Sequence, residues 1–217
     1  EQLEEVQAKK EEAQFEEAED ALNKAIQGIP QLKQLADSLL IDNTPEGLRI
    51  QLVDQEGLAM FPSGGSEMYL HTRKVLELVA KVINEMPQQI AISGHTDATK
   101  FVNEAGYSNW ELSADRANNA RRVLKNLHIP EERIARIVSR AATEPLMPED
   151  PTNARNRRLS IVLLRGTSVQ TPPAKAVTPP GEQDQTAPRE PTQPEAAAKA
   201  APLPEPVQSG IGNEVQK

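Results

Sequence analysis

Apolar residues recur along the chain with two different periods. Near the start, Phe15, Ala18, Leu22, Ala25 and Ile29 follow at steps of three and four, the seam of a helix over residues 1–29. Upstream the same seam carries Glu4, Ala8 and Glu11, so the first turns are expected to be solvated. Such a stripe serves either a helix lying on its own domain or a contact between two copies, and spacing alone does not choose. Pro30 suits the opening of a second short helix through Leu32, Leu35, Leu39 and Leu40.

In GLRIQLVD (47–54) the period drops to two. Leu48, Ile50 and Leu52 alternate with Arg49 and Gln51, which predicts a strand with one buried face. FPSGGSEM is a turn. From Met68 to Met86, Leu70, Leu76, Val79, Ala80 and Ile83 mark one face of a helix that ends before Pro87. QIAISG is the next strand. Ser108 and Glu111 form an S-x-x-E capping box that opens a helix reaching about Leu127. PEERIARIVSRAA predicts a helical turn running into a third strand, and RLSIVLLR (158–165) a fourth. The order β-α-β-α-β-β suits an α+β fold, an α/β sandwich with helices on one face of a mixed sheet.

The pattern stops at Gly166. Ten of the eighteen prolines and no aromatic residue lie in 167–217, among Ala, Gln, Glu and Thr. That composition cannot bury enough surface to offset its ordering entropy. The expected organisation is a helical, coiled-coil-like linker over 1–40, a compact domain over 41–166 and a disordered tail over 167–217.

Charge follows the same division. The net charge of −8 comes from the flanks: residues 1–40 hold ten acids and four bases, and 167–217 hold six and four. The middle carries sixteen of each and is neutral, and with 3% aromatic residues overall it offers no nucleic-acid surface. There is no cysteine, so no disulfide framework or zinc cluster is available. No apolar run approaches the ~20 residues of a membrane span. Because it opens on Glu1 rather than Met, the chain is expected to be a fragment whose start, with any targeting or membrane segment, is missing.

The candidate chemistry lies in the middle segment. The helix after Ser108 places Asn109, Leu112, Ser113, Arg116 and Ala120 on one face, polar at its start and with a guanidinium two turns in. The strand before it ends on Gly94, His95, Thr96 and Asp97, and ligands of open α/β sheets sit beyond the carboxyl ends of strands. Asp97 can take an ammonium, and Arg116 can take a carboxylate on its planar fork. Backbone N–H groups at the helix start can hold more of the anion. The plainer alternative is a salt bridge between Asp97 and Arg116. NARNRRLSI adds Arg157 and Arg158, of which strand alternation turns only one inward. Enzyme readings lack support: no G-x-S-x-G elbow exists, Ser113 sits inside a helix, and His71, His95 and His128 are too scattered for a metal site. The SGG at 63–65 lacks the lysine and spacing of a phosphate loop.

Together, GHTD, then N-x-x-L-S-x-x-R-A at Asn109, Leu112, Ser113, Arg116 and Ala117, then NRR at 156–158 resemble the OmpA/MotB family of peptidoglycan-binding domains over roughly 30–166. The string GYSNWELSADRAN, with EGLRIQLVD and MFPSGG, resembles its flagellar-motor stator branch. The resemblance implies a periplasmic, non-enzymatic domain that grips the diaminopimelate of the peptidoglycan stem peptide and needs no cofactor or metal. It carries the contact over to Asp97 and Arg116, with Thr96, Asn109, Leu112, Ser113 and Arg158 around them. It further implies a homodimer and a missing N-terminal membrane helix that partners a MotA-type channel subunit. The alternatives are a general OmpA- or Pal-type tether and a peptidoglycan-cleaving enzyme. Two features depart from the family pattern: Ala120 stands where a larger apolar residue is usual, and the loop from Asp97 to Asn109 is longer.

Overall fold

A computed structural model describes residues 2–103 and 105–168. The tail expected to be disordered, beyond Ser168, lies outside the described residues. Five strands form one mixed sheet: β1 (Leu39–Thr44), β2 (Gly47–Val53), β3 (Gln88–His95), β4 (Ile134–Ser139) and β5 (Arg158–Ser168), in the order β1-β2-β5-β3-β4. β3 and β4 are parallel, joined through helix α3 (Asn109–Asn126), and every other pairing is antiparallel. Helix α2 (Leu70–Glu85) connects β2 to β3.

One face of the sheet is apolar because strand side chains alternate. Leu48, Ile50 and Leu52 of β2, Ile90 and Ile92 of β3, and Leu159, Ile161 and Leu163 of β5 share a buried core with Leu76, Val79 and Ile83 of α2 and Ala117, Ala120 and Leu124 of α3. The helices thus cover a single face, as the periodicity predicts. Gly94 is where α3 comes closest: a Cβ there would lie 2.0 Å from the Ser113 carbonyl oxygen. A side chain at that position would push the helix off the strand end. Ala120 of α3 is fully buried in the same core.

The sequence reading differs from the structure at Leu39 and Leu40. They begin β1 instead of continuing a helix, and the preceding 3₁₀ segment stops at Ser38. Leu35 and Leu39 sit four apart, as helix neighbours do, but Leu39 pairs with Leu52 across a hairpin whose turn is Thr44–Gly47. Sheet pairing overrides the local period there.

The first helix, α1 (Gln2–Gly28), lies on its own domain. Phe15, Ala18, Leu22 and Ile26 are the buried positions, and Ala25 and Ile29 are only partly covered. The stripe therefore runs at steps of three, four and four and joins the core through α2 and the 3₁₀ segment. A polar clasp secures it. The Glu11 carboxylate accepts from Gly166 N at 3.1 Å and from Gln88 Nε2 at 3.2 Å, and Glu12 pairs with Arg165 at 2.8 Å. The Arg165 guanidinium lies 5.1 Å from the Phe15 ring. Among the described residues no helix is long and apolar enough to cross a membrane.

A buried leucine truncated to alanine costs about 2–5 kcal/mol, whereas exposed substitutions stay within about 0.5 kcal/mol. Leu22→Ala is expected to lower unfolding stability in urea by an amount in that first range, and Val6→Ser to leave it unchanged. Equal stability of Leu22→Ala and the parent chain would show that α1 is not part of the domain core.

Candidate functional site

Continuing the strand alternation past the strand ends generates the site. The parity that buries Leu52, Ile92 and Leu159 also places Asp54, Thr96 and Arg157 on the helix side, at one end of the sheet. Asp54 N donates to the Arg157 carbonyl at 3.0 Å, so the β2–β5 ladder extends into this corner. Thr96 N donates to the Ala141 carbonyl at 2.8 Å, and Ala98 N to Pro151 at 2.8 Å, which fix the strand mouth. The Thr96 hydroxyl is buried there with no partner among the described residues.

The start of α3 forms the opposing wall. Ser108 caps the helix, accepting from Trp110 N at 3.3 Å, while Glu111 reaches back to Ser108 N at 2.7 Å. The capping box expected from S-x-x-E is thus present, and it occupies first-turn N–H groups that the sequence reading left open for an anion. Asn109 Nδ2 donates to the Thr99 carbonyl at 2.9 Å and ties the helix to the loop after Asp97. Leu112 is buried in the cleft wall. Ser113 is fully buried: it donates to the Trp110 carbonyl, shares a 2.6 Å hydrogen bond with Ser139 and accepts from Ala141 N. It pins α3 to the end of β4 and takes no part in lining the cleft.

Arg116 is 5% exposed. Its Nε donates to the Gly65 carbonyl at 2.9 Å and Nη2 to the Pro62 carbonyl at 3.3 Å, both in the turn after Met60. Phe61 places its ring 4.8 Å from the guanidinium carbon. A guanidinium has five N–H groups, so Nη1 and one Nη2 hydrogen remain without a protein partner among the described residues. Burial lowers the Arg116 pKa, against the raising fields of Asp54 and Asp97.

The salt bridge between Asp97 and Arg116 is not formed. Asp97 instead accepts from Arg157 Nη1 at 2.6 Å and from Thr99 N at 3.0 Å. Arg157 also donates through Nε to Asp54 at 2.7 Å, so one guanidinium bridges two carboxylates. Burial pulls the Arg157 pKa down, but the hydrogen bonds to Asp97 and Asp54 outweigh it and the net shift is upward. Asp54 is 3% exposed and its carboxyl is raised by burial, opposed by Met60 N and Arg157.

Arg158 is corrected as a site residue. It lies on the opposite face of the sheet, donating to Gln51 Oε1 at 2.9 Å and to the Glu144 carbonyl at 2.8 Å. The inward arginine is Arg157, because Leu159 faces the helices and residues two apart on a strand share a face. Asn156, fully buried, accepts from Met147 N at 2.7 Å and donates to the Asp150 carbonyl at 2.8 Å, holding the preceding loop. The sequence reading also missed Asp54, although Leu48, Ile50 and Leu52 point to it as the next residue on the buried face. His95 pairs in register with Arg158 and so faces away from the helices and from the cleft.

The resulting cleft holds about 340 Å³ and is bounded by Phe61, Gly64, Phe101, Asp97, Arg116 and Arg157, with Lys100 at the rim. The long loop builds its outer wall. Phe101 lies over Gly64 and meets Tyr107 edge to face, 5.9 Å between centroids, and Tyr107 donates to Asp115 at 2.7 Å. Among the described residues no group of three or more His, Cys, Asp or Glu could hold a metal ion.

Residues 60–158, which include most of this cleft, match the model of the OmpA family. Over 169 residues the chain is 38% identical to Motility protein B of Escherichia coli (strain K12), covering 77% of this chain and 55% of that relative. The chain therefore spans about half the length of this curated relative. A MotB-like protein from Desulfovibrio vulgaris shares the fold with a TM-score of 0.60 at 24% identity, over 74% of this chain and 99% of that one. The periplasmic domain of Helicobacter pylori MotB does so at 0.51 and 22% identity, over 58% and 81%.

The far side of the strand mouth has a measurable titration. Burial first, then the charges of Arg158, Arg140 and Arg49, push the His95 pKa from 6.5 down to about 3. Between those values the unfolded chain binds a proton that the folded chain does not, so stability present above pH 6.5 is lost as pH falls. Relative to a His95→Asn variant, the parent chain is expected to lose about 1.4 kcal/mol per pH unit between pH 6 and 4. Urea unfolding across that range measures it, and parallel stability curves would contradict a buried, neutral His95.

Proposed function

We propose, for a chain whose residues 60–158 match the model of the OmpA family, that the cleft binds the peptide stem of peptidoglycan at its diaminopimelate residue. The observation that carries this reading is Arg116: a buried guanidinium with no carboxylate partner among the described residues, oriented by two carbonyls and keeping N–H groups for the cleft. Both nearby acids are already taken by Arg157. A ligand carboxylate would complete Arg116, and a ligand ammonium would join Asp97, whose carboxylate accepts only two hydrogen bonds from the described residues and has lone pairs to spare. Diaminopimelate ends in both groups on one carbon, which suits two opposite charges facing a single cleft.

Each charge-assisted contact supplies about 1.5–3 kcal/mol, a modest affinity for one site. Several copies on a repeating polymer gain effective concentration, so weak sites hold together. The names of the relatives set the context: a motility protein and periplasmic MotB domains. We read the whole protein as a flagellar stator subunit anchored to the wall in the periplasm, coupled to a MotA-type channel subunit through a membrane helix outside this chain. No catalysis is assigned to the cleft.

Loss of the ligand carboxylate leaves Arg116 desolvated without an anion, a penalty of about 1–3 kcal/mol or roughly 5- to 150-fold. The domain is expected to prefer a diaminopimelate stem peptide over its lysine counterpart by that factor in calorimetry. Arg116→Ala should weaken the first and erase most of the preference, and Asp97→Asn should weaken both alike. Equal affinity of the parent chain for the two peptides would rule out the two-charge mechanism. Homodimerisation is part of the same proposal. Because the Phe15–Ile26 stripe is buried within one copy, the dimer must use another surface. Light scattering that finds only monomer at high micromolar concentration would remove it.

A further inference from the structure

Asp54 is buried and is not among the residues that bound the cleft, yet each of its carboxylate oxygens holds a part that is. Oδ2 accepts from Arg157 Nε at 2.7 Å, and Arg157 reaches on to Asp97 with Nη1 at 2.6 Å. Oδ1 accepts from Met60 N at 2.7 Å. Met60 leads into the turn whose Pro62 and Gly65 carbonyls hold Arg116. The Met60 carbonyl accepts from Tyr69 N at 3.0 Å and Thr72 Oγ1 at 3.1 Å, at the start of α2. Gly65 N closes the turn on the Pro62 carbonyl at 2.9 Å. One buried carboxylate therefore joins the Arg157 wall of the cleft to the Arg116 wall.

Charge matters here as well as position. Two carboxylates, Asp54 and Asp97, accompany two guanidiniums, Arg116 and Arg157, and the four sum to zero. Burial lowers the Arg116 pKa, and of the two acids opposing that shift Asp54 acts more strongly than Asp97. A group with an ammonium and a carboxylate on one carbon suits a neutral corner in which each charge has its own partner. Without the Asp54 charge the corner becomes a net cation, which repels an ammonium and attracts a carboxylate. We infer that Asp54 is the positioning residue of the cleft: it contacts no ligand, holds both arginine walls in place, and supplies the negative charge that lets Asp97 accept an ammonium beside Arg157. The inference rests on the stem-peptide reading of the cleft.

The test compares two tripeptides, one ending in diaminopimelate and one in lysine, titrated by calorimetry into the whole chain and two variants. Asp54→Asn is isosteric and keeps one acceptor. The Met60 N–H needs that amide oxygen, whereas Arg157 retains Asp97 and is partly exposed to water. The variant therefore keeps the turn and loses the charge and its hold on Arg157. It is expected to weaken the lysine peptide roughly 10-fold, the lower end of one charge-assisted hydrogen bond. The diaminopimelate peptide should weaken less, because its carboxylate gains while its ammonium loses, so the preference for it widens. A purely structural role has the opposite sign: a loosened turn misplaces Arg116, and the preference narrows. Asp54→Ala removes both acceptors and is expected to bind the diaminopimelate peptide more weakly than Asp54→Asn does, with circular dichroism checking that each variant is folded. A narrowed preference in Asp54→Asn, or unchanged affinity for both peptides, would overturn the inference and leave the cleft reading intact. So would equal binding of the diaminopimelate peptide by the two variants. Failure of the parent chain to bind either peptide would remove the cleft reading, and this inference with it.

Discussion

The site is organised around a buried cation that is denied a counter-ion. A guanidinium out of water loses several kcal/mol of hydration unless hydrogen bonds and charge replace it. At Arg116 the replacements are two backbone carbonyls, the face of Phe61 and the fields of Asp54 and Asp97, none of which is a contacting carboxylate. What prevents the obvious ion pair is Arg157, which occupies Asp54 and Asp97 at once. The second arginine thus keeps the first available. The carboxylate of the proposed ligand would meet a donor group already oriented, with little of the cost of ordering a side chain.

That arrangement depends on backbone placement more than on the charged residues themselves. Strand parity delivers Asp54, Thr96 and Arg157 to one corner, and Gly94 lets α3 approach closely enough for Arg116 to cross it. The Ser113–Ser139 pair and the Asn109–Thr99 contact lock the helix start to the strand mouth. Asn156 anchors the loop before β5, which sets where Arg157 begins. Conventional structural polar residues thus occupy motif positions that look functional in isolation, Ser113 and Asn156 among them.

Much of this was legible in the sequence. The strand through Ile50, the helices ending at Met86 and Leu127, the capping box at Ser108 and the strand mouth at Asp97 all follow from period and turn chemistry. β1 was not legible, because Leu35 and Leu39 satisfy a helical spacing that only the hairpin partner Leu52 overrides. Choosing between Arg157 and Arg158 required knowing which face of β5 meets the helices. The run Ile161–Leu164 is apolar on both faces, so only Ser160 hinted at the parity. Whether Asp97 and Arg116 pair with each other was not legible for a different reason: two acids and two arginines admit several pairings, and sequence spacing cannot rank them.

The most direct measurement is co-sedimentation of the chain with purified sacculi whose stems carry diaminopimelate. The parent chain is predicted to pellet and to be released by free stem peptide, whereas Arg116→Ala, folded by circular dichroism, stays in the supernatant. Arg116→Ala pelleting as fully as the parent chain would contradict the account, since the buried guanidinium would then hold nothing of the wall.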